Sequence, residues 1–192
     1  MKLIKPSKKT LNEAAYILKN GGVVICPTDT VYGFLADAFN KKAVDKIFKL
    51  KQRPRSKPLP VFVKDLKRAK ELVEISKEQE LILKKYWFTR PKPAGGGGPR
   101  KYTFVLKNKG KGTIAIRIPK HKFLNDLLKK INKPLAQTSV NISGQPVLKN
   151  IKEIINQFGD KVDLIIDEGN LPKRKPSKII DLTEKKQKIL RK

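Results

Sequence analysis

A run of hydroxyl and amide side chains has the residue types that bind phosphate and ribose oxygens. It extends from Gln137 to Gly144 and carries Ser139, Asn141 and Ser143 at alternate positions. Short polar side chains and exposed backbone amides can fix such oxygens without adding charge. We therefore expect this run, at the end of a strand, to form one half of a nucleotide pocket.

A basic segment far upstream offers the countercharge that a nucleotide needs. Lys51, Arg53 and Lys57 lie close together in the chain around Pro54. Basic side chains next to hydroxyl and amide groups are suited to the charge of a triphosphate. Neither segment alone is specific, but together they predict a nucleotide site assembled from distant loops.

An arginine within an apolar strand is the third candidate. Arg117 interrupts an otherwise apolar pattern over residues 113–118. A charge in such a place is costly unless it is paired, so Arg117 would meet an anion. The same pattern equally fits an amphipathic strand with Arg117 facing solvent, and both interpretations stay open.

The charge of the chain favours polyanionic partners. The sequence has 45 Lys and Arg residues against 17 Asp and Glu residues, a net charge of +28. Such a field attracts RNA or nucleotides, and the lysines at 107, 109 and 111 and the basic residues 173–175 are candidate contacts. A Lys-rich composition spread over a solvated surface is the alternative.

Length and composition indicate one soluble α/β domain covering residues 1–192. Apolar residues make up 39% and charged residues 32% of the 192. With no apolar run long enough to span a bilayer and no signal-peptide core, we expect a cytoplasmic protein without a membrane partner. Cys26 is alone and there is one His, so neither an internal disulfide nor a structural metal cluster is expected.

Strand-like and helix-like segments alternate along the chain without a repeat, which predicts a mixed α/β fold. Helices are expected at 8–20, after Asn40, and at 65–73, 77–87, 122–131 and 150–158. Strands are expected at 23–26, 59–63, 102–107, 113–118, 135–139, 162–166 and 178–182. The second helix would deliver Lys51 and Arg53 from its C-terminal end.

Four separated motifs together resemble the YrdC/Sua5 family, the threonylcarbamoyl-AMP synthases. They occur in the family's order over nearly the whole chain: Pro27-Thr28-Asp29-Thr30-Val31-Tyr32-Gly33, Lys51-x-Arg53-Pro54, Arg117-x-Pro119 and Ser139-x-Asn141-x-Ser143-Gly144. The resemblance implies an open, twisted mixed sheet flanked by helices, with the active site on a basic concave face. It further implies an enzyme that converts L-threonine, bicarbonate and ATP, with Mg²⁺, into threonylcarbamoyl-AMP and pyrophosphate.

The resemblance also implies roles for individual residues. Lys51 and Arg53 would be catalytic. Threonine and bicarbonate would be bound by Thr30, Arg117 and Ser177, and ATP by Arg53, Lys57, Thr103, Ser139, Asn141, Ser143 and Arg191. For Thr28 and Thr30, turn capping is the alternative, and Asp29 would either orient a metal or the substrate amine or cap a turn.

Two places depart from the family pattern. The family's compact turn after Trp87 is replaced by a Gly- and Pro-rich loop or insertion over residues 88–100, which weakens the assignment of Thr103. Lys178 follows Ser177 where the family commonly has Thr. The glycine run is not followed by Gly-Lys-Ser/Thr and no Gly-x-Gly-x-x-Gly follows a strand, so P-loop and Rossmann sites are unsupported.

The resemblance places the product in the tRNA pathway that leads to threonylcarbamoyladenosine at position 37. The short chain suggests the single-domain form, which would need the partner enzymes of the transfer machinery, and tRNA or double-stranded RNA is an expected partner. The competing hypothesis is an RNA-binding or ribosome-associated module of the same fold without synthase activity. A carbamoyl-transfer module like the related domain of hydrogenase-maturation proteins is less favoured because its zinc fingers are missing here.

Overall fold

Six α-helices flank a β-sheet in the computed structural model, which describes residues 2–88, 101–172, 176–184 and 186–191. The helices are α1 (Lys8–Lys19), α2 (Lys41–Lys51), α3 (Leu66–Leu72), α4 (Lys77–Trp87), α5 (Lys122–Ile131) and α6 (Ile151–Phe158), and a short 3-10 helix covers Gly159–Lys161. The six helices predicted from the sequence agree with these. No helix in the described ranges is long and apolar enough to cross a membrane.

The sheet has ten strands in the described part of the chain. They are β1 (Lys2–Ile4), β2 (Val24–Cys26), β3 (Gly33–Asp37), β4 (Val61–Phe62), β5 (Tyr102–Lys107), β6 (Thr113–Arg117), β7 (Leu135–Ser139), β8 (Leu164–Ile166), β9 (Lys178–Asp181) and β10 (Lys188–Arg191). Their order is β1-β8-β2-β3-β7-β4-β6-β5-β9-β10, with both parallel and antiparallel neighbours. The predicted mixed α/β fold is confirmed.

The sequence analysis did not predict three of the strands in the described residues, namely β1, β3 and β10. β1 and β10 are short, and all four residues of β10 are exposed, so neither shows a clear apolar alternation. β3 is buried on both faces and therefore lacks alternation as well. Its first residue, Gly33, lies close to β7, where an added Cβ would come within 3.2 Å of the Thr138 carbonyl oxygen.

The turn that ends α2 separates two basic residues. Asn40 caps the start of this helix by accepting a hydrogen bond from the Ala43 amide at 3.0 Å. The helix ends at Lys51, and Gln52 adopts the left-handed conformation with φ of 49°. As predicted, the C-terminal end of this helix therefore delivers Lys51 and Arg53.

The two halves of the sheet are covered differently. Around β2, β3 and β7, helices α2 and α6 pack on one face and α1 and α5 on the other. Around β4, β5 and β6, apolar residues such as Phe104 and Ile116 pack with α3 and α4. Because side chains alternate along a strand, Thr103 and Arg117 lie on the opposite face of this half.

Candidate functional site

Lys51 forms the centre of the first group of site residues. It is 2% exposed, and its Nζ donates to the Ser139 carbonyl at 2.6 Å and to the Asn141 carbonyl and Oδ1, each at 2.8 Å. We call Lys51, Ser139 and Asn141 the loop cluster. The structure thus brings together the two segments that the sequence predicted to form one pocket.

Further hydrogen bonds fix the loop that follows β7. The Ser139 hydroxyl donates to Asn141 Oδ1 at 2.7 Å, and Asn141 Nδ2 donates to the carbonyls of Ile142 and Gln145, each at 2.8 Å. The Ser143 amide donates to the Lys51 carbonyl at 2.7 Å. Ser143 Oγ is buried and has no hydrogen-bond partner within the described ranges.

Burial changes the acid–base properties of the loop cluster. It lowers the pKa of Lys51 to about 8, and the neighbouring positive charge of Arg53 acts in the same direction. Burial also lowers the pKa of Arg53. The Lys51 ammonium is therefore largely protonated at neutral pH and begins to lose its proton in mildly alkaline solution.

Arg53 lies in the loop after α2. Its Nε donates to the Lys57 carbonyl at 2.6 Å and its Nη2 donates to the Pro58 carbonyl at 3.1 Å. The Lys57 amide in turn donates to the Pro54 carbonyl at 3.0 Å, and the Lys57 residue is exposed. This compact loop holds the guanidinium beside the loop cluster.

Arg117 forms a buried ion pair with Asp29. Arg117 is 4% and Asp29 3% exposed, and Arg117 Nη2 donates to Asp29 Oδ1. The Lys120 amide donates to Asp29 Oδ2 at 3.1 Å. The interpretation that Arg117 meets an anion is confirmed, and the interpretation as a solvent-facing residue is wrong because the 27–32 loop covers the side chain.

Ser177 joins Thr103 to Arg191. The hydroxyls of Thr103 and Ser177 are 2.9 Å apart, and Arg191 donates from Nε to the Ser177 carbonyl at 2.9 Å and from Nη2 to Ser177 Oγ at 3.0 Å. Partial burial of the side chain lowers the pKa of Arg191, and the positive charge of Arg117 acts in the same direction. Asp29, Thr103, Arg117, Ser177 and Arg191 are the sheet-face cluster.

The threonines before β3 hold the loop that carries Asp29. Thr28 Oγ1 accepts hydrogen bonds from the Thr30 and Val31 amides at 3.0 and 3.2 Å, which confirms its turn-capping role. The hydroxyls of Thr28 and Thr30 are 2.9 Å apart, and Thr30 is 4% exposed. Thr28 therefore caps the turn, and the Thr30 hydroxyl lies next to the Thr28 hydroxyl.

Strand register shows how the two clusters are placed. Ser139 pairs with Gly33 at one end of β7, whereas Leu135 at the other end pairs with Phe62, the neighbour of Arg117. The clusters are therefore offset along the strand direction by roughly the length of β7, about 13 Å at the usual rise of a strand, and Arg117 lies two strands across the sheet from β7. The 27–32 loop spans this distance, since it starts beside Gly33 and places Asp29 on Arg117.

The pairing of Asp29 with Arg117 is the main contact that sequence reasoning did not specify. The residues are 88 positions apart, and no local pattern links them. The burial of Lys51 was also not foreseen, since a lysine at a helix end ordinarily faces solvent. The polar run 137–144 and the distant basic segment 51–57 were the available signals that Lys51 contacts the loop after β7.

Some sequence expectations lie outside the described residues. This holds for the Gly- and Pro-rich segment beyond Phe88, up to residue 100, and for the basic residues 173–175. Lys178, the second departure, begins β9 and pairs with Tyr102. Within the described ranges no group of three or more His, Cys, Asp or Glu residues is placed to hold a metal ion.

The fold and the site define a mixed α/β protein whose cationic and hydroxyl groups are suited to anionic substrates. The model of the Sua5/YciO/YrdC family, described as telomere recombination, matches residues 16–192. The chain therefore belongs to this family, as the sequence motifs predicted.

Relatives of known name agree with this placement. A threonylcarbamoyl-AMP synthase from Pyrococcus abyssi is 34% identical over 182 residues, which are 93% of this chain and 52% of that protein. A threonylcarbamoyl-AMP synthase from Idiomarina loihiensis is 33% identical over 173 residues, 88% of this chain and 91% of that protein. The chain thus spans about half the length of the first relative and nearly all of the second.

A solved structure shows the same fold. The crystal structure of Pyrococcus abyssi Sua5 complexed with L-threonine has a TM-score of 0.85 and 30% sequence identity with this chain. The similarity covers 99% of this chain and 56% of that chain. The similarity to this relative therefore extends over both clusters of the site.

Proposed function

We propose that this protein is a nucleotidyltransferase that makes threonylcarbamoyl-AMP and pyrophosphate from L-threonine, bicarbonate and ATP. One observation carries the proposal. Thr103 and Arg191, which the family resemblance assigns to ATP, both contact Ser177, which it assigns to threonine. The parts of the site assigned to ATP and to threonine would therefore adjoin at this serine. The names of the two relatives above support the same reaction.

The reaction needs positioning and charge compensation more than a covalent protein group. The threonine amine first captures bicarbonate, with loss of water, to give a carbamate. A carbamate oxygen then forms a bond to the α-phosphorus, while the bond from that phosphorus to the β-phosphate bridging oxygen breaks and pyrophosphate leaves. Fixed cations next to the phosphorus stabilise the charge that develops there. A site built from arginines, a lysine and hydroxyls suits this chemistry.

The nucleotide would lie on the loop-cluster side. We assign its phosphates to Arg53 and Lys57 and its remaining oxygens to Ser139, Asn141 and Ser143, and this assignment includes the buried Ser143 hydroxyl that lacks a partner in the described ranges. Mg²⁺ enters as part of the substrate, bound to the phosphates of ATP. Its charge supplements the basic side chains during transfer.

Threonine would lie on the sheet-face side. The Arg117 guanidinium has five N–H donors in a planar fork, so it can keep Asp29 on one edge and bind the threonine carboxylate on another. Thr30 and Ser177 provide hydroxyls for the amino acid and for bicarbonate. The closeness of Arg191 adds positive charge where the carbamate and phosphate come together.

The product would serve tRNA modification, with partner enzymes of the threonylcarbamoyl transfer machinery acting next. The net charge of +28 supports direct association with tRNA or double-stranded RNA. Binding measured between about 50 and 200 mM salt should weaken steeply, because phosphate contacts release counterions. Undetectable binding, or binding that does not change with salt, would rule out this partner.

Incubation with ATP, Mg²⁺, bicarbonate and L-threonine tests the proposed reaction. Threonylcarbamoyl-AMP and pyrophosphate are followed together, and each substrate is omitted in turn. We expect equal amounts of both products only when all substrates are present. RNA binding by a folded protein that makes neither product would favour the RNA-binding hypothesis instead.

A further inference from the structure

We propose that Lys51 is a positioning residue that locks the 139–143 loop from inside, instead of a direct ligand of the ATP phosphates. Its effect on catalysis rests on the proposed function, because the loop it holds is the one assigned to the nucleotide. The lock itself is a property of the free protein. It can therefore be tested whether or not the proposed reaction occurs.

The hydrogen-bonding capacity of Lys51 is already used. A lysine ammonium has three N–H donors and no acceptor. Three oxygens lie within 2.8 Å of Nζ, namely the Ser139 carbonyl, the Asn141 carbonyl and Asn141 Oδ1. A phosphate oxygen could bind this ammonium only by displacing one of them. The side chain also lies 6.0 Å from the Phe34 ring centroid, well inside the fold.

The loop in turn depends on this ammonium. The three oxygens that accept its hydrogen bonds converge on one point, and buried carbonyl groups that lose their donor are costly. Asn141 Oδ1 also accepts from the Ser139 hydroxyl, so one amide oxygen links the lysine to both loop residues. A single cation therefore sets the relative positions of Ser139 and Asn141.

A backbone hydrogen bond also holds the 139–143 loop to the end of α2. The Ser143 amide donates to the Lys51 carbonyl, which ties the loop to the last residue of α2. The left-handed turn at Gln52 then lets Arg53 leave in another direction, toward the carbonyls of Lys57 and Pro58. Of the two basic residues in this motif, one is directed into the protein and the other remains partly exposed for substrate.

The lock weakens when Lys51 loses its proton. Burial lowers its pKa to about 8, and a neutral amine has two donors for three acceptors. Lys51 contacts Ser139 and Asn141 at the end of β7 and Phe34 in β3, and all three side chains are uncharged. Arg53, in the loop after α2, stays protonated. Because the folded pKa lies below the usual 10.5, deprotonation between pH 8 and 10.5 favours the folded state while loosening the loop. Loop order and global stability should therefore change in opposite directions.

Hydrogen exchange of the substrate-free protein tests the lock. In Lys51→Met we expect amides of residues 140–148 to exchange roughly tenfold to a hundredfold faster than in the wild type, the effect of losing hydrogen bonds to a charged group. The matched control is Lys49→Met, which removes an exposed lysine from the same helical turn and should leave these amides unchanged. Unchanged exchange in a folded Lys51→Met variant would overturn the proposal.

A wild-type measurement covers the case in which Lys51→Met does not fold. Nitrogen-15 NMR of the lysine side chains should show one ammonium with slowly exchanging protons that titrates near pH 8 without ATP. Rapid exchange of every lysine ammonium would overturn the proposal that Lys51 holds the 139–143 loop. If the protein forms product but shows no protected ammonium, this proposal fails and the proposed function stands. If it shows a protected ammonium but forms no product, the proposed function fails and this proposal stands.

Discussion

The loop cluster and the sheet-face cluster hold their charged groups in different ways. In the loop cluster, the Lys51 ammonium binds two backbone carbonyls and one amide oxygen, all neutral. In the sheet-face cluster, Arg117 binds a carboxylate, and Ser177 joins two further side chains. The first arrangement organises a loop, whereas the second pairs opposite charges inside the sheet.

This difference predicts how each cluster responds to substitution. A partly exposed cation beside the loop cluster, such as Arg53, can be removed with little loss of stability, because its partners remain accessible to water. Removing one member of the buried Arg117–Asp29 pair takes away the opposite charge that stabilises the other inside the fold. Function and stability should therefore separate in the first region and fall together in the second.

The largest effect is expected for Arg117→Met. The buried Asp29 carboxylate then loses the guanidinium that offsets its charge, which should lower the free energy of unfolding by about 3–5 kcal/mol, and product formation should fall with it. Urea denaturation measures the change. The double variant Asp29→Asn/Arg117→Met, which removes both charges, should recover much of the stability without activity. Equal destabilisation of the single and double variants would break the contrast between the clusters.

Arg53→Ala should lower activity and leave stability nearly unchanged. We expect product formation to fall by about a hundredfold, the usual effect of removing one charge-stabilising group from an active site. The free energy of unfolding should change by about 0.5 kcal/mol or less, as at other partly exposed positions. Arg55→Ala is the control, because Arg55 is exposed and pairs with Asp45 outside the site. Near-normal turnover in folded Arg53→Ala would remove Arg53 from the site.

Ser177→Ala should have a smaller effect on both properties. The Thr103 hydroxyl and the Arg191 guanidinium each lose a partner, which should lower the free energy of unfolding by about 1 kcal/mol. The KM for threonine should rise more than the KM for ATP. Thr183→Ala removes a hydroxyl bonded to Asp181 after β9 and serves as the control. A rise confined to the KM for ATP would show that Ser177 belongs to the nucleotide side.

The smallest effect at neutral pH concerns Tyr32, which ends the loop between the clusters. Its hydroxyl donates to the Gly169 carbonyl at 2.7 Å, and burial raises its pKa to about 12. Because the folded pKa exceeds the usual 10, the stability due to this phenol is present below pH 10 and lost as the pH rises to 12. Denaturation of wild type and Tyr32→Phe across this range should show a steeper alkaline loss in the wild type. Parallel stability curves for the two proteins would contradict the raised pKa of Tyr32.

The sequence revealed the helices because their signals are local. Capping residues such as Ser7 and Asn40 and the apolar spacing behind them mark each helix without reference to the rest of the chain. β3 was missed for the opposite reason: its five residues are buried on both faces, so only its neighbours in the sheet define it as a strand. Local patterns cannot supply that information.

The same distinction applies to the site. Residues 137–144 and the Lys51–Lys57 segment were found because each concentrates polar or basic groups in a short run. Lys51 lies on the buried face of α2 together with Ile47 and Phe48, but the oxygens that accept its hydrogen bonds belong to a distant segment, so no local pattern marks its burial. The partner of Arg117 depends on the path of the 27–32 loop across the sheet. Pairing across such distances is set by tertiary structure alone.

The most direct test of the two-part site is to measure binding of L-threonine and of a non-hydrolysable ATP analogue, each to two variants. Calorimetry on Arg53→Ala should show weakened binding of the analogue and unchanged binding of threonine. Arg117→Lys, which keeps the charge but loses the planar fork, should show the reverse. Loss of both ligands in both variants, or the opposite assignment, would contradict the division of the site between the loop cluster and the sheet-face cluster.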